Sequence, residues 1–475
     1  MKSGLKVSIL LVLMLSGHPS ASAETLEGAL GRAYENNPQL NAERAAVRQA
    51  DENVAQALSG YRPTISGTAT LGTQYTDTTV VVPQPDATPS GPSRNSAGAN
   101  QTATFRGRTT PRGGSLNVSQ NLFDGYQTGN RTRAADVQVL AARESMRAVE
   151  QSVLLSAVIA YMDYLKDAAL IKVQESNVRV LARTLTDGRG RFKNGDITRT
   201  QLWQIEAQLA SGEASLHEAR ASLMAAEANY RRVIGVEPSD LSAGKPADHF
   251  LPDSLQVALE QSLTRNPMVG AASYGVDVAV LQIRIAEGGL FPTLVLQGSV
   301  QAFEDQNILT PRLFAGTVAL GLTLPLYQGG KEYSAIRQKK EAAVQQRFSL
   351  DEVRDQVRAN VTQFWGQLDA SRSRTEAAER QVRAAESALD GVNGEARAGQ
   401  ATTLDVLNAQ QALVTARISL VSAQRDRVVT SYNLLAAVGG LSAAALKLPV
   451  QVYDPSVHYH QVRDSWFGLR TTSGQ

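Results

Sequence analysis

The sequence predicts a mainly α protein with β-hairpins, in which one helix/β-hairpin/long helical hairpin unit occurs twice and copies of the chain share a barrel. Three observations predict it: an internal repeat, two long proline-free stretches, and apolar residues alternating with period two beside each stretch. Leu26-Glu-Gly-Ala-Leu30, Asn37-Pro38 and Pro63-Thr64 recur as Leu255-Gln-Val-Ala-Leu259, Asn266-Pro267 and Pro292-Thr293, offset by 229 residues (255 − 26). Leu122-Phe-Asp-Gly125, Gly195, Thr198 and Gly235 match Leu326-Tyr-Gln-Gly329, Gly399, Thr402 and Gly439, offset by 204 (326 − 122). The difference of 25 (229 − 204) falls between about 64 and 122, around Pro83-Gln-Pro85 and Pro89-Ser-Gly-Pro92, where a loop tolerates insertion.

The first element is an export signal over 1–23. Lys2 and Lys6 precede an apolar run at 7–15 that is too short to span a bilayer, and Ala21-Ser22-Ala23 offers small residues at the cleavage positions. The mature chain is expected to begin at Glu24. The first repeat then covers 24–247, with its β-hairpin at about 61–123 and helical hairpin at about 124–235. The second covers 248–448, with a β-hairpin at about 291–327 and a helical hairpin at about 330–439. A tail occupies 449–475.

Helices follow from residue choice. No proline lies between Pro111 and Pro238 or between Pro325 and Pro449, and both stretches are rich in the helix formers Ala, Leu, Gln, Glu and Arg. The only strong breaks inside them are Lys193-Asn-Gly195 and Arg397-Ala-Gly399. The first hairpin therefore has arms at 124–194 and 196–234, which span about 106 Å and about 58 Å at ~1.5 Å per residue. A helix over 25–60, about 54 Å long, supplies the missing length of the short arm. The second half repeats the scheme with helices at 254–290, 330–398 and 400–438.

The last of these helices carries two apolar seams. Leu404, Leu407, Gln411, Val414, Ile418, Val421, Arg425, Val428, Tyr432 and Leu435 advance by steps of three and four, and Val406, Ala409, Leu413, Ala416, Leu420 and Ala423 form a second row. A two-stranded coiled coil needs one seam, whereas a helix in a closed ring meshes with a neighbour on each side. An ordinary long bundle is the plainer alternative.

In the strand segment Ile65, Gly67, Ala69, Leu71, Thr73 and Tyr75 alternate with Thr64, Ser66, Thr68, Thr70, Gly72 and Gln74. Leu294, Leu296, Gly298, Val300 and Ala302 do the same in the second half, and Leu116, Val118 and Leu122 match Leu320, Leu322 and Leu326. A strand over 64–75, tilted by ~45°, reaches about 28 Å, the height of a bilayer wall. One hairpin per half gives four strands per chain. Four strands cannot close, and open edges are not tolerated in lipid, so the barrel is shared. Two chains give a barrel of eight strands filled by side chains, and three give twelve with room for a lumen.

Composition removes other classes. Of 475 residues, Lys and Arg number 47 and Asp and Glu 45, a formal net charge of +2 without a basic block, so no nucleic-acid partner is expected. No long apolar span is read after the first 20 residues, which excludes a helical membrane protein. The chain has no cysteine, hence no disulfide, thiolate site or cysteine nucleophile. Gly188-Arg-Gly190-Arg-Phe-Lys-Asn-Gly195 has the wrong spacing for a dinucleotide loop, and Gly244-Lys245 lacks the glycine of a phosphate loop. His458 and His460 have no third metal ligand in view and read as a surface tail. No enzyme activity and no cofactor is expected.

The signal, the repeated element order, Leu324-Pro-Leu-Tyr-Gln-Gly-Gly330 and above all Gly399-Gln-Ala-Thr-Thr-Leu-Asp-Val-Leu-Asn-Ala-Gln410 resemble the TolC family of outer-membrane exit ducts. The resemblance covers the mature chain to about residue 448. It implies a homotrimer with a twelve-strand β-barrel in outer-membrane lipid and a long periplasmic α-barrel. It also implies partners, namely a periplasmic adaptor (membrane fusion) protein and an inner-membrane RND or ABC transporter, in efflux or type I protein secretion. A periplasmic coiled-coil adaptor or scaffold is the alternative. By position, the resemblance makes Gly195, Thr198, Gly399 and Thr402 the adaptor-docking tip and Asp405 and Asn408 the pore constriction. The family's gate-closing tyrosine and arginine fall on Ala396 and Ala401, and their acceptors on Thr200 and Gln201. The known links are therefore absent, and Arg397 is the candidate donor for a substitute contact.

Overall fold

The computed structural model describes residues 24–82 and 101–471. The expected export signal and most of the proline-rich insertion lie outside the described residues. In chain order the helices are α1 (Leu26–Asn36), α2 (Pro38–Leu58), α3 (Gln127–Lys193), α4 (Arg199–Ile234), α5 (Leu255–Arg265), α6 (Pro267–Gly288), α7 (Lys331–Arg397), α8 (Thr403–Val438) and α9 (Ser456–Val462). The strands are β1 (Thr64–Leu71), β2 (Gln74–Val82), β3 (Gln101–Thr109), β4 (Arg112–Phe123), β5 (Thr293–Asn307) and β6 (Thr310–Thr323). Corresponding helices of the two halves have equal lengths: 67 residues in α3 and α7, 36 in α4 and α8, and 11 in α1 and α5.

The chain divides into two compact units, one of Met1–Glu43, Met146–Pro267 and Asp355–Tyr453, the other of Arg44–Ser145, Met268–Arg354 and Asp454–Gln475. In the first unit, the single helices expected at 25–60 and 254–290 are each broken at the Asn-Pro pair. The residue before proline is driven out of the α region, and Asn37 and Asn266 sit at ψ 123°. Each asparagine turns this break into a joint. Asn37 Nδ2 donates to the Val233 carbonyl at the end of α4 (3.1 Å) while its Oδ1 accepts from Gln39 N (2.9 Å), capping α2. Asn266 Nδ2 donates to the Ala437 carbonyl near the end of α8 (2.9 Å). Both of these long-hairpin helices end on a left-handed glycine, Gly235 at φ 90° and Gly439 at φ 88°. Tyr161 and Tyr230 are fully buried alongside Leu30, Ile234, Leu434 and Leu441. The Tyr161 hydroxyl lies 2.8 Å from the Glu24 carbonyl and 2.7 Å from that of Ser242, and burial pushes its pKa up.

The second unit holds a four-stranded antiparallel sheet in the order β1-β4-β5-β6 and a two-stranded ribbon, β2-β3. The strand expected over 64–75 stops at Leu71. Opposite the break stands Pro111, which has no N–H for the ladder, and its carbonyl accepts from Gly72 N (3.0 Å). The first hairpin thus contains four strands, and the described residues six rather than four. Register puts one apolar row on one face: Ile65 opposite Val118, Val118 opposite Gly298, Gly298 opposite Val318. The next row, Ser66, Asn117, Ser299 and Thr317, is polar and faces the other way. Leu122 departs from the expected alternation at a bulge between Asn121 and Phe123, which seats Phe123 opposite Leu294. Leu326 lies beyond the end of β6. The apolar face is bare: Val318 is 81% exposed, Leu322 69% and Ile65 67%. Its far end is closed by Arg112, Glu304 and Arg312, paired at 2.9 and 3.3 Å.

The expectation of no long apolar span is corrected by α6, the one helix among the described residues long and apolar enough to cross a membrane, with a mean hydropathy of 1.2 over its best window. Its charges are Asp277 at mid-helix and Arg284 and Glu287 near the C-terminal end. Only 6% of that window is buried within the chain.

The two helix-ending glycines differ in their surroundings. A Cβ on Gly235 would meet only the Asn36 Cβ at 3.4 Å, whereas one on Gly439 would lie 2.6 Å from the Arg265 carbonyl carbon and oxygen. Gly235→Ala is expected to cost the left-handed strain alone, about 1 kcal/mol. Gly439→Ala should cost clearly more, since backbone must also move. Apparent melting temperatures of the two variants in detergent check the order.

Candidate functional site at the helix turns

The turns joining α3 to α4 and α7 to α8 are built alike. In the first, Asp196 N donates to the Arg191 carbonyl (2.9 Å) and Gly195 N to that of Phe192 (3.0 Å); in the second, Gln400 N reaches Glu395 (2.8 Å) and Gly399 N reaches Ala396 (3.2 Å). This double pattern ends a helix on a left-handed residue, which Gly195 (φ 84°) and Gly399 (φ 77°) supply. Three residues on, Thr198 and Thr402 start the next helices. Their hydroxyls accept from Gln201 N and Asp405 N, each at 3.3 Å, and the side chains of Gln201 and Asp405 accept in return from Thr198 N (2.9 Å) and Thr402 N (2.8 Å). Glycine-x-x-threonine is therefore a helix stop followed by a helix start.

The two turns differ in charge. Asp405 Oδ2 also accepts from the Thr402 hydroxyl at 2.6 Å, and these bonds hold its carboxyl below the ordinary aspartate range. Gln201 is the neutral counterpart. Asp405 and Asn408 are both exposed and stand one turn apart on α8, so the two residues expected at the constriction share a face. Beneath the turns Leu181, Leu185, Ile205 and Leu407 form a core with Leu202 and Leu209 against it.

The expected gate contacts are not brought together within the chain. The Gln201 amide oxygen is taken by the Thr198 N–H and hydroxyl, and Thr200 is exposed on the outer turn of α4. Arg397 instead lines a cleft of about 440 Å³ between the two hairpins, with Asp187, Arg191, Ile197, Ala396 and Ala401. Thr200 and Gln201 do not line it. Sequence reading missed Asp187 and Arg191, which look like surface charges on a long helix.

Two polar members of the apolar seam mark cross-helix bonds. Gln411 accepts from Gln208 Nε2 (3.0 Å), joining α8 to α4. Arg425 donates through Nε to Asp163 (2.9 Å) and through Nη1 to Asp426 (3.0 Å), joining α8 to α3. A charged residue inside a seam was the available signal. His458, read as a surface histidine, is buried: its Nδ1 lies 2.8 Å from Asp51 Oδ2, while His460 is exposed. No group of metal-ligating side chains occurs among the described residues.

Comparison with known proteins accords with this arrangement. A family model described as outer membrane efflux protein matches residues 29–236 and 258–440. The outer membrane efflux protein BepC of Brucella suis is 39% identical over 459 residues, covering 96% of this chain and 94% of BepC. The outer membrane protein TolC of Escherichia coli is 27% identical, covering 91% of this chain and 86% of TolC. Among solved structures, the CmeC outer membrane channel of Campylobacter jejuni has a TM-score of 0.74 at 14% identity, covering 92% of this chain and 89% of that one.

Only one of the two caps responds to pH. A depressed carboxyl adds stability above its unfolded pKa and loses it as pH falls through the folded value. On acidification, hydrogen–deuterium exchange protection at 402–406, corrected for intrinsic rates, should fall in the native protein. In Asp405→Ala it should already be low and insensitive to pH. Protection at 198–202, capped by Gln201, should stay constant in both.

Proposed function

Because the chain belongs to the outer membrane efflux protein family, we propose that it is a passive outer-membrane exit duct opened by a docked adaptor. It acts as a homotrimer in which three four-stranded sheets close a twelve-strand β-barrel and the helical hairpins close a periplasmic α-barrel. One observation carries this reading. The sheet bares an apolar face and, among the described residues, the outer sides of β1 and β6 have no strand neighbour, two features that lipid and further copies of the chain satisfy together. Twelve strands leave a lumen, and the polar face with Ser66, Asn117, Ser299 and Thr317 suits it. The poorly covered apolar α6 supports contact with neighbouring copies as well. A soluble adaptor has no use for either surface.

The proposal assigns two repeats, 24–247 and 248–448, a tail at 449–475, and export by a signal removed before Glu24. Partners are a periplasmic adaptor, which meets the turns at Gly195, Thr198, Gly399 and Thr402, and an inner-membrane RND or ABC transporter that selects the cargo. Closure draws on Arg397 with Thr200 and Gln201, and Asp187, which lines the same cleft as Arg397, offers it a further acceptor. Asp405 and Asn408 narrow the pore. Two carboxylates ~6 Å apart repel by about 3 kcal/mol at an effective dielectric of 20, which favours a bound cation.

Native mass spectrometry in detergent is expected to find three chains per particle; a monomer that conducts in planar bilayers contradicts the reading. Single-channel current should be cation-selective and blocked by multivalent cations from the periplasmic side. Asp405→Ala should relieve both effects. Persistence of block and selectivity in that variant removes Asp405 from the constriction.

A further inference from the structure

We propose that the C-terminal segment Trp466-Phe467-Gly468-Leu469 is a membrane-interface anchor, seated among lipid headgroups beside the base of the β-strands. The inference rests on the reading of the sheet as a barrel wall.

The segment is carried on a fixed strap. In α9, His458 meets the buried Asp51, the Tyr459 hydroxyl donates to Asp136 Oδ1 (2.8 Å), and the Tyr459 ring packs on Val54, Ala135 and Val139. Directly after α9, Arg62 Nη1 donates to the Ser465 carbonyl (2.6 Å), and the guanidinium lies 4.7 Å from the Trp466 ring centre. Arg62 stands two residues before the first residue of β1, so Trp466 is pinned at the strand base. Despite this tether the apolar side chains point away from protein: Trp466 is 59% exposed, Phe467 90% and Leu469 completely. A tail meant for water gains nothing by holding these three out in a fixed place.

The surroundings identify the occupant as lipid. The apolar face of the sheet ends at this level in exposed Tyr61, Tyr126 and Phe291, with Phe123, Tyr126 and Phe291 in edge-to-face contact at 5.2 and 6.4 Å. The Tyr61 carbonyl is held by Gln120 Nε2 of β4 (3.3 Å). Aromatic rings collect where hydrocarbon meets headgroups, and Trp466 and Phe467 continue that belt beyond the strands. Arg62, Arg463 and Arg470 flank the segment and suit lipid phosphates, against the single carboxylate of Asp464. A second copy of the chain would cover the same apolar atoms but leaves these arginines without a role.

The test uses the full chain in phosphatidylcholine vesicles brominated near the top of the acyl chains. Trp203→Phe and Trp365→Phe leave Trp466 as the only tryptophan, and its emission is expected to lose most of its intensity relative to unbrominated vesicles. A Val318→Trp reporter, with Trp466→Phe in the same background, reports the barrel wall. Quenching of the Val318→Trp reporter without quenching of Trp466 overturns the anchor and leaves the barrel standing; quenching of neither overturns both. A blue-shifted but unquenched Trp466 means protein covers it and also refutes the anchor. Since the chain has no cysteine, Phe467→Cys carrying a polarity-sensitive dye gives a second readout. The dye should be quenched by the same lipids.

Discussion

Among the described residues, strands β1 and β6 each hydrogen-bond to a neighbour on one side only, and many of the apolar side chains between them, Ile65, Leu116, Val318 and Leu320 included, are exposed. An edge strand in water can be blunted by charge or a bulge, but backbone N–H and C=O groups facing hydrocarbon cost several kcal/mol each unless paired. The single chain therefore does not satisfy its own backbone, and the arrangement of everything else in the second unit follows from that. Side chains invert the usual order of a soluble sheet, with valine and leucine on a bare face and serine, threonine and asparagine on the other. The charged row Arg112–Glu304–Arg312 closes the apolar band where the sheet gives way to the polar ribbon, in which Asp77 pairs with Arg106 at 2.8 Å.

The first unit, by contrast, buries apolar rows inside the single chain. The α8 helix buries Leu407, Val414, Val428, Tyr432 and Leu435 from one seam and Leu413, Ala416 and Ala423 from the other, so two of its faces are already used inside one chain. The joints that hold the short helices end to end with the long ones are made of few atoms. An asparagine side chain binds the last turn of one helix while its backbone, forced extended by the following proline, ends another. Gly439 permits the approach, because its α-carbon faces the backbone of Arg265 and Asn266 at a distance no side chain allows. Duplication reproduces the Asn-Pro break and the terminal glycine in both halves, and divergence shows in contact detail, since the space beside Gly235 is open by comparison.

Much of this was legible because it depends on period and on special residues. Proline absence located the long hairpins, Gly195 and Gly399 located their turns, and alternation gave the faces of the sheet. What stayed hidden depends on three-dimensional partners. Asn37-Pro38 served as a repeat marker, yet the helix was carried across it, because the pre-proline penalty is local while the benefit of breaking comes from the distant Val233 carbonyl. Alternation persists through Gly72, so the sequence predicts one strand over 64–75, whereas Pro111 on the opposing arm interrupts the ladder. His458 looked like a tail residue because its acceptor, Asp51, lies some four hundred positions away in sequence. At the turns, the threonine caps were visible, but the role of residue 201 was not. Within the chain its amide oxygen returns to the Thr198 N–H and hydroxyl at the helix start, a reciprocal bond that residue order alone does not distinguish from a contact across helices.

That last contrast indicates where the two halves have parted in chemistry. Gln201 and Asp405 occupy equivalent positions and make the same reciprocal cap, so helix stability does not by itself require a charge at either. The carboxylate at 405 is exposed, is kept ionised by the Thr402 N–H and hydroxyl, and has Asn408 rather than a cation on the next turn of its face. A charge held on one turn and replaced by a neutral amide on its duplicate is not needed for folding the turn. Any assembly that repeats the α7–α8 turn around an axis multiplies that charge, while repeating the α3–α4 turn adds none at the matching position. The duplication thus supplies two turns of one geometry that differ in charge at the cap position, carboxylate in one and amide in the other.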